Sequence, residues 1–218
     1  GELDFLNEIN SMEKLRAAIS AGSSSDPPVR VPRAFPGLSS RKVLVMEFVD
    51  GVPLKKLAGS NATTSEERRY AGAKIVSALG EAYARMIFNG GHVHGDPHPA
   101  NIFVDPETLG VTLLDCGQTK QLSLADRTQL TTVLLNLQRY RRDPSSHLKP
   151  LADSIRDFGV ELRDDDDDVS EDSSSSDDEC LAAVAVLLFG EKGATLPGGF
   201  DANELGPNSP LRRLASFP

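Results

Sequence analysis

HVHGDPHPANIFVDPETLGVTLLDCGQ, residues 92 to 118, is the stretch from which the rest of the chain can be read. Asp96 stands five residues before Asn101 and nineteen before Asp115. Ile102-Phe103-Val104 and Val111-Thr112-Leu113-Leu114 have strand character, and Asp105-Pro106-Glu107 supplies turn chemistry between them. The spacing predicts a hairpin that brings Asn101 and Asp115 to the same end of two short strands. Both are oxygen donors of the kind that magnesium, a hard ion, takes together with phosphates and water. Asp96 falls in a loop stiffened by Pro97 and Pro99, where a carboxylate can accept a proton from an attacking hydroxyl. Protein kinases divide the labour in this way, with an H-R-D-x-x-x-x-N loop followed by D-F-G.

Here the pattern is His94-Gly95-Asp96, then Asn101, then Asp115-Cys116-Gly117, so glycine replaces arginine and cysteine replaces phenylalanine. With GDPHPAN and LLDCGQ as its most specific motifs, the chain resembles the UbiB or aarF-domain-containing kinase (ADCK) family of atypical kinase-like proteins, in its plastid-type form. The resemblance runs from Glu2 to Pro218 and is looser outside those motifs. It implies an α+β, protein-kinase-like fold, mainly the helical C-terminal lobe with a partial N-lobe. It also implies ATP and Mg as cofactors, a role in quinone or prenyl-lipid metabolism, and a parent protein in a plastid or mitochondrion with membrane or quinone-related partners. Asp96 becomes the catalytic position, and Asn101 and Asp115 the metal ligands. The Glu2-Leu3-Asp4 segment matches the family's E-x-D signature, and Glu8 the glutamate that pairs with the nucleotide-binding lysine of the small lobe.

Before the motif, Glu2 to Ile19 reads as an amphipathic helix with Phe5, Ile9, Met12 and Ile19 on one face. Gly22 to Ser25 is a linker, and the prolines from Pro27 to Pro32 favour an extended chain. Val43 to Val49 is expected to be a buried strand ended by Asp50-Gly51. In a kinase it enters the hinge, where backbone groups of Glu47 and Val49 can bond an adenine. Thr63 to Glu66 reads as a capping box. From it a helix runs to Phe88 with Ala71, Ile75, Ala78, Leu79, Ala82 and Met86 inward, stopped at Asn89-Gly90-Gly91. The domain reading is thus a partial N-lobe over 1–50 and a kinase-like C-lobe over 51–162.

After the motif, a second helix is expected from Ser123 to about Arg142, with Leu130, Val133, Leu134 and Leu137 inward. It leaves little room for a peptide-binding activation segment. Residues 163–179 are expected to be a disordered acidic and serine-rich insertion, and 180–218 a C-terminal helix and loop. The net charge of −9 comes from this insertion. Ten of the 32 acidic residues lie between 164 and 179, leaving 22 against 23 basic ones. No basic, aromatic-studded patch argues for nucleic acid.

Two cysteines, Cys116 and Cys180, offer no disulfide framework, and no apolar run has the length to cross a bilayer. The chain opens at Gly1, lacks a segment resembling the K-x-G-Q motif or the strand lysine, and is read as a fragment expected to be inactive alone. Two other function classes share the motif. One is a catalytically silent binding module that regulates a lipid-biosynthetic assembly. The other is a small-molecule phosphotransferase of aminoglycoside or choline type. His92, His94 and His98 also raise a zinc cluster, which the proline-bound loop and the lack of a fourth ligand at a standard spacing disfavour.

Overall fold

In the computed structural model, which describes residues 4–21, 29–58, 64–160 and 173–189, the strand–turn–strand expected after Asn101 is the centre of a sheet. Its strands β4 (Ile102–Val104) and β5 (Val111–Leu113) pair antiparallel with Ile102 opposite Leu113. Asp105 shapes the turn, its carboxylate accepting from the Glu107 and Thr108 N–H groups and the Thr108 hydroxyl. These bonds hold the Asp105 carboxyl below the usual range. The sheet is completed by β1 (Val29–Arg30), parallel to β5, and β2 (Val52–Pro53), antiparallel to β4, in the order β1-β5-β4-β2. Alternation along the strands buries Ile102, Val104, Val111 and Leu113 on one face and leaves Phe103 and Thr112 half-buried on the other.

The buried face packs in one core with helix α1 (Phe5–Ser20) and helix α3 (Ser65–Ala84). The α1 face is Ile9, Met12, Leu15, Ala18 and Ile19, with Phe5 only half-buried. Leu15 and Leu113 are fully buried, and each such side chain contributes about 1.5–3 kcal/mol relative to exposure. Asp4 caps α1 by accepting from the Leu6 N–H at 3.1 Å. Glu2 and Leu3 lie outside the described residues.

Helix α3 buries Ile75 and Ala82, with Ala78 and Leu79 packed partly beside them. Its capping box is Thr64 with Glu67, one residue later than the Thr63–Glu66 pairing suggested by the sequence. Two overlapping T-x-x-E strings are present, and only geometry chooses between them. Thr64→Ala is expected to destabilise the first unit by about 1 kcal/mol, read as a shift in the urea midpoint. The helix ends in a wider π turn, Arg85–Gly90, and stops at Gly91, whose φ of 66° suits glycine.

The expected strand from Val43 to Val49 does not form. Among the described residues, the chain there pairs on one side only, with the Phe35 N–H donating to the Val45 carbonyl and the Glu47 N–H to the Arg33 carbonyl, both at 2.8 Å. The Ser39 hydroxyl takes the next places in the ladder, accepting from the Val45 N–H and donating to the Phe35 carbonyl. Val43, Met46 and Phe48 are therefore exposed, Phe48 by 85%. Its apolar composition reads as core, but without partners on both sides it stays at the surface.

A short helix α2 (Leu54–Ala58) follows β2, and a two-stranded ribbon of β3 (His92–His94) and β6 (Thr119–Gln121) frames the loop between them. These elements belong to a first compact unit, Gly1–Leu124; a second covers Ala125–Pro218. The second unit holds helices α4 (Leu124–Arg142), α5 (Pro144–Asp157) and α6 (Ser173–Phe189). They share a core that includes Val133, Leu137, Leu151, Ile155, Leu181, Ala182, Ala185 and Val186. Leu130 and Leu134 are only half-buried.

Helix α6 begins at Ser173, within the stretch 163–179. Within that helix Asp178 pairs with Arg156 at 2.6 Å. Residues 161–172 and 190–218 are outside the described set. Among the described residues, no helix is long and apolar enough to cross a membrane.

Candidate functional site

The hairpin register determines the site. Beyond the Ile102–Leu113 pair, the Leu114 N–H donates to the Asn101 carbonyl at 2.8 Å. Asn101 and Asp115 therefore stand together at the open end of the hairpin, as their spacing suggested. Asp115 has a left-handed φ of 54°, uncommon for a residue with a side chain and tolerated best by Asp and Asn. Its Oδ1 accepts from the Gly117 N–H at 3.4 Å. A Cβ on Gly117 would sit 3.3 Å from that oxygen, so glycine leaves the carboxylate its place.

His94 connects the Asp96 loop to this end of the hairpin. It is 2% exposed. Its Nδ1 accepts from the Asp96 N–H at 3.2 Å, and its Nε2 lies 3.3 Å from the Leu114 carbonyl. Those partners assign the neutral Nε2–H tautomer. His94 is thus a structural bridge, and the three-histidine zinc reading fails because this ring is already committed. Gly95 follows, its N–H donating to the Gln118 carbonyl at 2.8 Å. A Cβ there would press on the same carbonyl at 3.2 Å, so a side chain in place of this glycine would require a small shift of the ribbon.

Asp96 is half-buried and His98 exposed. The loop is tied at its far side by the Asn101 N–H to the His98 carbonyl, 2.8 Å, and by the Lys55 N–H to the Pro99 carbonyl, 3.2 Å. Tyr83 of α3 supports it from beneath, its hydroxyl donating to the His94 carbonyl at 3.2 Å. Burial first, then the Asp96 carboxylate and Cys116, push the Tyr83 phenol up to about 12. No local pattern singles out Tyr83, although it shares the Leu79–Met86 side of α3.

Glu8 approaches the same motif from α1, its carboxylate on the side of the Cys116 backbone N–H. Burial, and then the neighbouring Asp115 carboxylate, raise its carboxyl above the ordinary value. The Cys116 thiol is buried and pushed up to about 12 by burial, with Glu8 and Asp115 adding to it, which makes it a poor nucleophile. The oxygens near this end of the hairpin are carboxylate and amide, the type a hard cation takes, and among the described residues no three His, Cys, Asp or Glu side chains form a metal-holding group.

Glu47 and Val49 are elsewhere. They line a cavity of about 200 Å³ with Arg30, Asp50, Asp105 and Thr112, towards the turn of the hairpin. The Glu47 carboxylate pairs with Arg30 at 3.1 Å, and its N–H is used by Arg33.

Residues 1–146 match the family model described as the ABC1 atypical kinase-like domain. The chain belongs to this family. Among its ABC1-type relatives, AarF domain-containing protein kinase 1 of Xenopus tropicalis is 38% identical over 120 residues, covering 53% of this chain and 21% of the relative. AarF domain-containing kinase 1 of Drosophila melanogaster is 33% identical over 144 residues, 65% of this chain and 26% of the relative. The protein named "Probable protein kinase UbiB" in Sodalis glossinidius is 26% identical over 174 residues, 74% of this chain and 31% of the relative. The chain thus spans less than a third of the length of these relatives. The ABC1 match covers the whole hairpin, the Asp96 loop and α1, and with them the mixed α+β architecture expected of a kinase-like domain.

Proposed function

We propose that this chain carries the metal and phosphoryl end of a Mg-ATP site, in an atypical kinase or ATPase. The observation that supports it best is the hairpin register, which sets Asn101 beside Asp115 at the mouth to which His94 ties the Asp96 backbone. Asn101 and Asp115 would hold magnesium, which when bound supplies charge neutralisation along the phosphates. Asp96 orients the attacking hydroxyl or water and takes its proton. His94 and Tyr83 hold the Asp96 loop in register, and Glu8 of α1 stands beside the Asp115-Cys116 turn.

The Phe103–Thr112 face runs from this mouth towards the cavity lined by Glu47 and Val49, and the base of the nucleotide is assigned to that end. Glu47 would contribute its carbonyl only, since its N–H is already bonded. The domain reading, a partial N-lobe over 1–50 and a C-lobe over 51–162, belongs to the same proposal. So does a place for the parent protein in quinone or prenyl-lipid metabolism in a plastid or mitochondrion, supported by the resemblance to UbiB-type proteins.

The test is titration of the full-length protein with ATP, with and without magnesium, followed by phosphate release. Binding is expected to need magnesium. Asp96→Asn is expected to keep that binding while lowering turnover by about 10²- to 10⁴-fold. An Asp96→Asn protein that releases phosphate at the parental rate would remove Asp96 from the chemistry. Magnesium-dependent binding without turnover in the parent protein would favour the silent binding module.

A further inference from the structure

The loop between Asp96 and Asn101 is short of hydrogen-bond donors. Pro97 and Pro99 have no N–H. The Ala100 N–H is spent on the His98 Nδ1 at 3.2 Å, and the Asn101 N–H on the His98 carbonyl at 2.8 Å. From Gly95 to Thr119 there is no lysine or arginine. A phosphoryl group in transfer spreads negative charge over its outer oxygens and needs donors aimed at them.

The loop's remaining donors are the His98 backbone N–H and the His98 ring, and the ring reaches further from the backbone. Because the His98 Nδ1 accepts from Ala100, its proton sits on Nε2 in the neutral ring and both nitrogens carry protons only if that bond is given up. Nothing among the described residues partners Nε2, and the ring is exposed. The loop is anchored on either side of it, by His94 at Asp96 and by Lys55 at Pro99. His98 is therefore an N–H donor with a fixed tautomer on a restrained loop, lying along the chain between the proposed base and a proposed metal ligand.

We propose that His98 donates from Nε2 to an oxygen of the terminal phosphate of the bound nucleotide. This rests on the Mg-ATP reading given above. It makes His98 a discriminator between nucleoside triphosphate and diphosphate, because the group it touches is absent from the diphosphate.

The discriminating variant is His98→Asn. An asparagine Oδ1 takes the place of Nδ1 as acceptor for the Ala100 N–H, so the loop keeps its internal bond while the distal donor is lost. His98→Ala loses both. Affinities of the full-length protein for ATP and ADP, each with magnesium, are measured for the parent and both variants. Loss of a hydrogen bond to a charged oxygen is expected to weaken ATP binding by about tenfold or more in either variant, with ADP affinity changed less than about twofold. If His98→Asn keeps the parental ATP-to-ADP ratio while His98→Ala does not, His98 serves only the loop and the proposal is overturned. The same holds if both variants weaken ATP and ADP equally. A parent protein that binds neither nucleotide overturns the Mg-ATP reading itself, a result distinct from an unchanged ratio.

Discussion

Replacing Asp115 by asparagine is expected to abolish magnesium-dependent ATP binding by the full-length protein without lowering its resistance to urea. Changes to groups that merely orient a metal ligand cost about 10- to 100-fold in affinity, so loss of the proposed ligand itself is expected to cost at least about 100-fold. The fold is spared for two reasons. Asparagine tolerates the left-handed φ of 54° at this position nearly as well as aspartate, and it can still accept from the Gly117 N–H. It also removes a negative charge from beside Glu8, whose carboxyl Asp115 helps to raise, so that local repulsion falls. Calorimetric titration at several magnesium concentrations, beside a urea curve, separates the two effects. Unaltered magnesium-dependent binding in Asp115→Asn would end the metal assignment. A lowered urea midpoint would show that the carboxylate supports the fold instead.

The largest effect on stability is expected at Gly90. It closes the π turn at the foot of α3, where a Cβ would overlap the Ala18 Cβ and lie 2.7 Å from the Ala18 Cα of α1. The obstacle is backbone, which cannot step aside as a flexible side chain can. Gly90→Ala is therefore expected to cost about 3 kcal/mol, the upper end of ordinary overpacking. Ala18→Gly alone should cost about 1 kcal/mol from helix propensity. Combined, the two should cost less than their sum, because the second removes the Ala18 Cβ, the nearer of the two atoms that the first collides with. Additive costs in the double variant would mean that the helices do not approach as closely as described. The same turn carries Arg85 and Asn89, whose side chains donate to the Ile19 and Ala21 carbonyls at the C-terminal end of α1. The π turn therefore clamps the helix that carries Glu8.

Elements whose determinants lie close together along the chain are legible in the sequence alone. The β4–β5 hairpin follows from two apolar triplets and an Asp-Pro turn, and it alone sets Asn101 beside Asp115. Helix α1, helix α3 and the start of α4 follow from apolar residues at helical spacing and from the Gly90-Gly91 stop. The stretch from Val43 to Val49 misleads because apolar content does not say whether partners exist on both edges, and the Ser39 hydroxyl occupies part of the one ladder it has. From 173 to 179 the composition is acidic and serine-rich, and helix α6 takes in those residues together with the apolar run from Leu181 that packs in the second core.

By itself, then, the sequence determined the hairpin, the helices and the Asp96–Asn101–Asp115 spacing, because backbone periodicity and turn chemistry are encoded within a few residues. Only the tertiary structure decided which distant groups meet. It brought Glu8 to the Cys116 N–H, His94 to the Leu114 carbonyl, Tyr83 under the Asp96 loop and Arg85 to the end of α1. Each of these contacts joins residues whose approach is set by the packing of α1 and α3 on a shared core, and no local pattern specifies that packing.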